Sequence, residues 1–118
     1  MRDLDHYSSN VQTVVKAYLD MLLNDFDYAG FRYDMVKGYA GKFTGIYNTA
    51  AKPGFSVGEY WDGNVATVKT WINATKVNGV PTSAAFDFPI RYAVRDLIAS
   101  NWGSKAKDGL VSNASYRQ

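Results

Sequence analysis

Three side chains carry most of the chemistry this sequence offers: Arg32, Asp34 and Glu59. In Gly30-Phe-Arg-Tyr-Asp-Met-Val36 the charged residues alternate with Phe31, Tyr33 and Met35. At a strand's period of two, Arg32 and Asp34 share one face and the apolar residues take the other. Glu59 is the one glutamate against ten aspartates, and it ends an otherwise apolar, glycine-containing stretch, Phe55 to Tyr60. Ligands of parallel α/β sheets bind at the carboxyl ends of the strands, and Asp34 and Glu59 both fall at such ends. Adjacent parallel strands lie roughly 4.8 Å apart, which brings two such carboxyls near the roughly 5 to 5.5 Å that suits a nucleophile and a proton donor working in turn on one glycosidic bond. Arg32 is placed to hold one of them ionised. Two plainer readings stay open: an Arg32–Asp34 ion pair that satisfies itself at a strand end, and two unrelated surface carboxylates.

The elements that must position these groups follow from hydrophobic periodicity. Ser9 followed by Gln12 has the spacing of a capping box, and Val11, Val14, Val15, Tyr18, Leu19 and Leu22 then recur at helical intervals, predicting a helix over 10–24. Gly30 to Val36 reads as a short strand, and Tyr39, Phe43, Ile46 and Tyr47 as one face of a helix that stops before Pro53-Gly54. Phe55 to Tyr60 reads as a second strand. Val65, Val68 and Ile72 line a helix over 65–76 whose end is marked by Asn78-Gly79. Ala84 to Asp87 is a weaker strand, followed by a helix with Ile90, Ala93, Val94, Leu97 and Ile98 facing inward; the polar stretch 103–118 reads as a loose tail. Strands recur about 25 to 28 residues apart, the period of βα units in a parallel sheet, so the fold class is alternating α/β. Three short strands leave two unpaired edges, through which self-association is an expectation.

Tyr33, Tyr39, Tyr60, Trp61 and Phe86 crowd the same strand ends. Aromatic faces stack on sugar rings, but the signal is weak and core packing is the expected use of most of these residues. His6 is the lone histidine, which excludes a polyhistidine metal site, and its position in a loop near the start predicts a solvated ring. Neither GxGxxG nor GK[ST] is present around Gly58 and Gly63, which disfavours a flavodoxin-like nucleotide binder, and no G-x-S-x-G elbow supports a serine triad.

Composition sets the outer bounds. The 118 residues are 47% hydrophobic and 20% charged with a formal net charge of +2, too weak and too scattered a charge to predict a nucleic-acid or membrane partner. Without cysteine there is no disulfide, thiolate zinc site or thiol nucleophile. The opening MRDLDHYSSN has no apolar signal core, so no signal peptide is predicted from it. One domain or a piece of one fits this length, which falls short of the roughly 200 to 250 residues of a complete (β/α)8 barrel.

The segment GFRYDMVKGY (Gly30 to Tyr39) followed by FSVGEYWDG (Phe55 to Gly63) resembles the fourth and fifth barrel strands of the alpha-amylase family of glycoside hydrolases, family thirteen. Asp3-Leu-Asp-His6 resembles the end of that family's excursion domain, and Ala84 to Pro89 its sixth strand; the Lys-Gly-Tyr form of the first segment resembles the branch of plant-type and some bacterial enzymes. The resemblance implies a partial (β/α)8 TIM barrel around strands 4 to 6, with residues 1–9 closing the excursion domain and the rest belonging to the catalytic barrel. It implies hydrolysis of α-1,4-glucosidic bonds in starch-like α-glucans, with Asp34 as nucleophile, Glu59 as general acid and base, and Arg32 supporting Asp34. Lys37, Trp61 and Tyr39 are implied sugar contacts. A structural calcium ion is implied too, with the Asp3 carboxylate and the Gly38 carbonyl at ligand positions, although calcium takes six to eight oxygens. The family's stretch with a third catalytic carboxylate, ending in His-Asp, does not occur in these 118 residues, so the chain alone is expected to be inactive. A secreted parent protein is the expectation from the family. The alternative is a non-catalytic α/β module, carbohydrate-binding or self-associating, that keeps the motif as a relic.

Overall fold

The structure, a computed structural model, describes residues 4–100. The tail expected over 103–118 lies outside them. Helix α1 (Ser9–Asn24) precedes strand β1 (Gly30–Tyr33), a 3-10 turn (Val36–Gly38) and helix α2 (Gly41–Ala51). Strand β2 (Phe55–Gly58), helix α3 (Val65–Ala74), strand β3 (Ala84–Ala85) and helix α4 (Phe88–Ala99) follow. The three strands form one parallel sheet in the order β1-β2-β3. Among the described residues no helix is long and apolar enough to cross a membrane.

Register assigns the two faces of the sheet. Phe31 pairs with Ser56 and Arg32 with Val57, while Val57 pairs with Ala84. Phe31 and Tyr33 therefore point to the helices together with Ser56, and Arg32 and Val57 point the other way. On the helix side Leu19 of α1, Phe31 of β1 and Phe43 and Tyr47 of α2 form the buried core. Through this core runs a polar network centred on Asn48 of α2. Its Nδ2 donates to Ser56 Oγ (2.8 Å) and to the Thr82 carbonyl (2.9 Å), and its Oδ1 accepts from Tyr33 Oη (2.9 Å). Ser56 Oγ in turn donates to Ser83 Oγ (2.9 Å). Asn48, Ser56 and Ser83 are all buried, so each hydrogen bond replaces water that cannot enter. Burial pushes the Tyr33 phenol far above its ordinary value, with Tyr39 and Tyr47 adding to the shift, which keeps it a donor to Asn48.

Several expectations change. The first strand ends at Tyr33, and Met35 is not on its buried face: its backbone is left-handed (φ 47°) and the residue is 70% exposed, because the chain turns there into the 3-10 turn. Ser9 is not a capping residue. The N-cap of α1 is Ser8 without a side-chain bond, and Gln12 donates instead to the His6 carbonyl (2.9 Å). Val14 and Tyr18 of α1 and Val94 and Ile98 of α4 are exposed rather than inward, since α2 meets a narrower stripe of α1 and the two-residue β3 offers α4 little surface. Asp87 is not in the third strand; its Oδ1 accepts from Ile90 N (2.9 Å) as the cap of α4. Asn78-Gly79 does more than mark a helix end. Both residues have positive φ (52° and 81°) and close a tight turn bridged between Val77 and Val80.

Two substitutions test this framework. Asn48→Ala strands Tyr33 Oη and the Thr82 carbonyl and leaves Ser56 Oγ with Ser83 alone, with an expected loss of about 2 to 4 kcal/mol in urea unfolding. A Cβ on Gly58 overlaps the Trp71 ring, which is itself buried, so Gly58→Ala lowers the unfolding midpoint more than the same change at exposed Gly79.

Candidate active site

Glu59 directly follows β2, and its N–H continues the ladder by donating to the Tyr33 carbonyl (2.8 Å). Because Arg32 is opposite Val57, and Asp34 and Glu59 each lie two residues further along, all three reach the same strand ends on the face away from the helices. The guanidinium of Arg32 spans both acids. Its Nη1 lies 2.7 Å from Asp34 Oδ1 and its Nη2 3.0 Å from Glu59 Oε1, an ion pair with each. The ion pair of the plainer sequence reading does form, yet it is not self-contained, since the same fork holds Glu59. The two acids differ in setting: the Glu59 side chain is 14% exposed and that of Asp34 65%. One carboxylate is sheltered and the other open to solvent. The left-handed turn at Met35 aims its backbone N–H at Glu59 Oε2 (3.4 Å).

A cleft of about 400 Å³ opens beside Arg32 and Glu59, lined also by Trp61, Phe86, Asp87, Phe88 and Arg91; Asp34 lies outside its lining. Phe86 lies beneath the Arg32 guanidinium (5.7 Å to the ring centre), and Trp61 stacks on Phe88 at 4.5 Å. Trp61 is half exposed and is thus brought to the same cleft as Glu59.

Lys37 reaches across to Asp62 (Nζ to Oδ2, 2.9 Å) and lies over the Tyr60 ring at 5.1 Å. The Asp62 hydrogen bond raises the Lys37 ammonium above its ordinary value; in return the Lys37 bond, together with the Asn64 N–H, lowers the Asp62 carboxyl. Tyr39 sits elsewhere. It lines a second cleft, of about 340 Å³, with His6, Tyr7, Gly38 and Phe43, and its ring is 4.5 Å from that of His6. His6 is not the solvated residue expected. Its Nδ1 is 2.6 Å from Tyr47 Oη and its ring packs on Phe43, so it ties the start of the chain to α2. Gly38 is on the rim of this second cleft, and Asp3 lies outside the described residues. Among the described residues there is no group of three or more acidic or histidine side chains that could hold a metal ion. Of the two implied ligand positions the described residues include Gly38 alone, which does not make a calcium site.

The α4 residues Phe88, Arg91 and Tyr92 and the loop residue Asp62 shape the site without having stood out in the sequence. Asp62 follows Trp61 directly, but its partner Lys37 is 25 residues away and no local spacing links them. Arg91 and Tyr92 lie on a helix whose pattern reports only its buried side.

A parallel sheet flanked by helices, with acids gathered at its carboxyl ends, is the architecture of a partial (β/α)8 barrel. The comparisons agree with that class and narrow it. The structure superposes on an alpha-amylase from Malbranchea cinnamomea with a TM-score of 0.77 and 23% identity, over 97% of this chain and 22% of that one. In sequence the chain is 33% identical to alpha-amylase 3, chloroplastic, of Arabidopsis thaliana over 62% of its own length and 10% of the relative's. It is 29% identical to probable alpha-amylase 2 of Arabidopsis thaliana over 85% of this chain and 27% of that protein, and 26% identical to an alpha-amylase of Bacillus licheniformis over 76% and 18%. No family profile matches the chain. The chain is a relative of the alpha-amylases, corresponding to a part of their barrel and spanning about a tenth to a quarter of the length of these plant relatives.

The Lys37–Asp62 pair generates a pH prediction. Asp62 is depressed when folded, so its contribution is present above the ordinary aspartate range and fades as pH falls through the lowered value; Lys37 is raised, so its contribution is present below the ordinary lysine range and fades as pH rises through the raised value. Lys37→Met is expected to move the Asp62 titration, followed by carboxyl-carbon NMR, up toward about 4. An unmoved titration means the two groups do not pair in solution.

Proposed function

We propose that this chain supplies the nucleophile and the general acid of a retaining glycoside hydrolase acting on α-1,4-linked glucans. The observation that carries the proposal is the single Arg32 guanidinium shared by Asp34 and Glu59 at adjacent strand ends, beside a cleft walled by Trp61 and Phe86. Asp34 is the nucleophile: its exposed carboxylate attacks the anomeric carbon while Glu59 gives its proton to the departing glycosidic oxygen, leaving a glycosyl ester on Asp34. Glu59, now ionised, takes a proton from water. The oxygen of that water displaces Asp34 from the anomeric carbon, and both side chains return to their starting states. Arg32 orients Asp34 through the ion pair at 2.7 Å. Trp61 contributes an aromatic wall against which sugar rings stack, and Lys37 is a further sugar contact on this reading, whereas Tyr39 faces the second cleft beside His6.

The 118 residues provide two carboxylates of what we take to be a set of three, so this stretch by itself is proposed to turn over little or no starch. Cooperating groups lose catalysis far out of proportion when one member is absent. The alternative, a relic module that binds glucans or itself, draws support from Phe55, which is 58% exposed next to the sheet's open face.

The test uses the full-length polypeptide that contains this chain. With a 2-deoxy-2-fluoro-α-maltosyl fluoride, mass spectrometry of peptides should find the sugar esterified to Asp34. Asp34→Asn and Glu59→Gln should each lower starch hydrolysis by about a thousandfold or more. Labelling on another residue, or turnover that survives Glu59→Gln, refutes the assignment, and a relic module is the reading left if the unmodified protein binds maltooligosaccharides without cleaving them.

A further inference from the structure

We propose that Tyr92 of α4 is a positioning residue for the loop between β2 and α3, fixing the orientation in which Trp61 is presented to a sugar; the inference rests on the glucan reading above. Trp61 Nε1 donates to Tyr92 Oη at 2.8 Å. Two residues on, Gly63 lies against the Tyr92 ring so closely that a Cβ there would come within 2.9 Å of Cδ2. Phe88, one turn earlier on the same helix, stacks on the Trp61 indole at an interplanar angle of 29°. The Tyr92 ring is itself flanked by the guanidinium groups of Arg91 and Arg95, 5.1 and 4.9 Å from its centre. The loop is thus seated on α4 by an indole stack, a hydrogen bond and a backbone contact, while Lys37 holds it from the opposite side through Asp62.

The energetic argument concerns order rather than contact. An indole that is 51% exposed and held only by its contacts with Phe88 and Arg91 loses rotamer freedom when a sugar stacks on it, and this loss weakens binding. Tyr92 removes much of that freedom beforehand. It does so from a helix that follows β3, so the presentation of the cleft wall is set by a part of the chain that carries neither acid. Tyr92 touches neither sugar nor reacting atoms on this account; it acts through Trp61.

The experiment compares Tyr92→Phe, which keeps the ring and removes the hydroxyl, with Trp61→Phe and the double variant, all in a Glu59→Gln full-length background that binds without cleaving. Tyr92→Phe is expected to weaken maltotetraose binding by about threefold to tenfold and to shift the Trp61 indole N–H resonance. In the Trp61→Phe background it should change affinity no further. Gly63→Ala, which crowds the same ring from the loop side, should move the same resonance and serves if Tyr92→Phe does not fold. An unshifted resonance, or a loss of affinity that is undiminished without Trp61, overturns the proposal. Failure of the Glu59→Gln protein with Tyr92 and Trp61 intact to bind maltotetraose defeats the glucan reading instead, and the indole resonance alone then decides whether Tyr92 positions Trp61.

Discussion

The register between β1 and β2 governs everything described above. A parallel pair slipped by one residue turns Arg32 or Glu59 to the helix face, and the shared ion pair is lost. Strands of four, four and two residues have few ladder bonds with which to specify that register. Asn48 supplies the missing specification. It is one side chain bonded to Tyr33 of β1, to Ser56 of β2 and to the backbone just before β3, so only one alignment of the three strands satisfies it. Because Asn48 is buried, a misaligned sheet leaves polar atoms without partners, a penalty of about 1 to 3 kcal/mol for each.

Arg32 has the corresponding position on the other face. Two carboxylates at adjacent strand ends repel, and a single guanidinium fork meeting both converts the repulsion into a geometry. The fork also explains why the acids differ in exposure. Glu59 is fixed at its backbone by the ladder bond to Tyr33 and at its carboxylate by Arg32 and the Met35 N–H, whereas Asp34 lies at the turn and is held by Arg32. A sheltered acid and an exposed one, bridged by one guanidinium, is the asymmetry on which paired-carboxylate chemistry draws.

Much of this was legible in the residues. Periodicity located every helix to within a few residues, and the alternation around Arg32 and Asp34 gave the face they share. What stayed hidden was non-local. Nothing near Asn48 signals that its partners are 8, 15 and 34 residues away. The apolar stripe of α4 overstated its burial, because periodicity reports which residues prefer shelter and not how much shelter a two-residue strand provides. His6 was misplaced for a similar reason: a loop position near the start predicts solvent, but Tyr39, Phe43 and Tyr47 build an aromatic seat that only the folded chain brings together. Pairing of Lys37 with Asp62 and of Trp61 with Tyr92 likewise joins segments 25 and 31 residues apart.

The sequence span of the Asn48 bonds has a consequence for biosynthesis. The most distant partner, the Thr82 carbonyl, is 34 residues further along, and the other two lie within 15. During translation the first two strands can be aligned once Gly58 has left the ribosome, and the third can join before α4 has emerged. All three partners of Asn48 lie within residues 33–82. The three strands can therefore be in register before α4 packs against them.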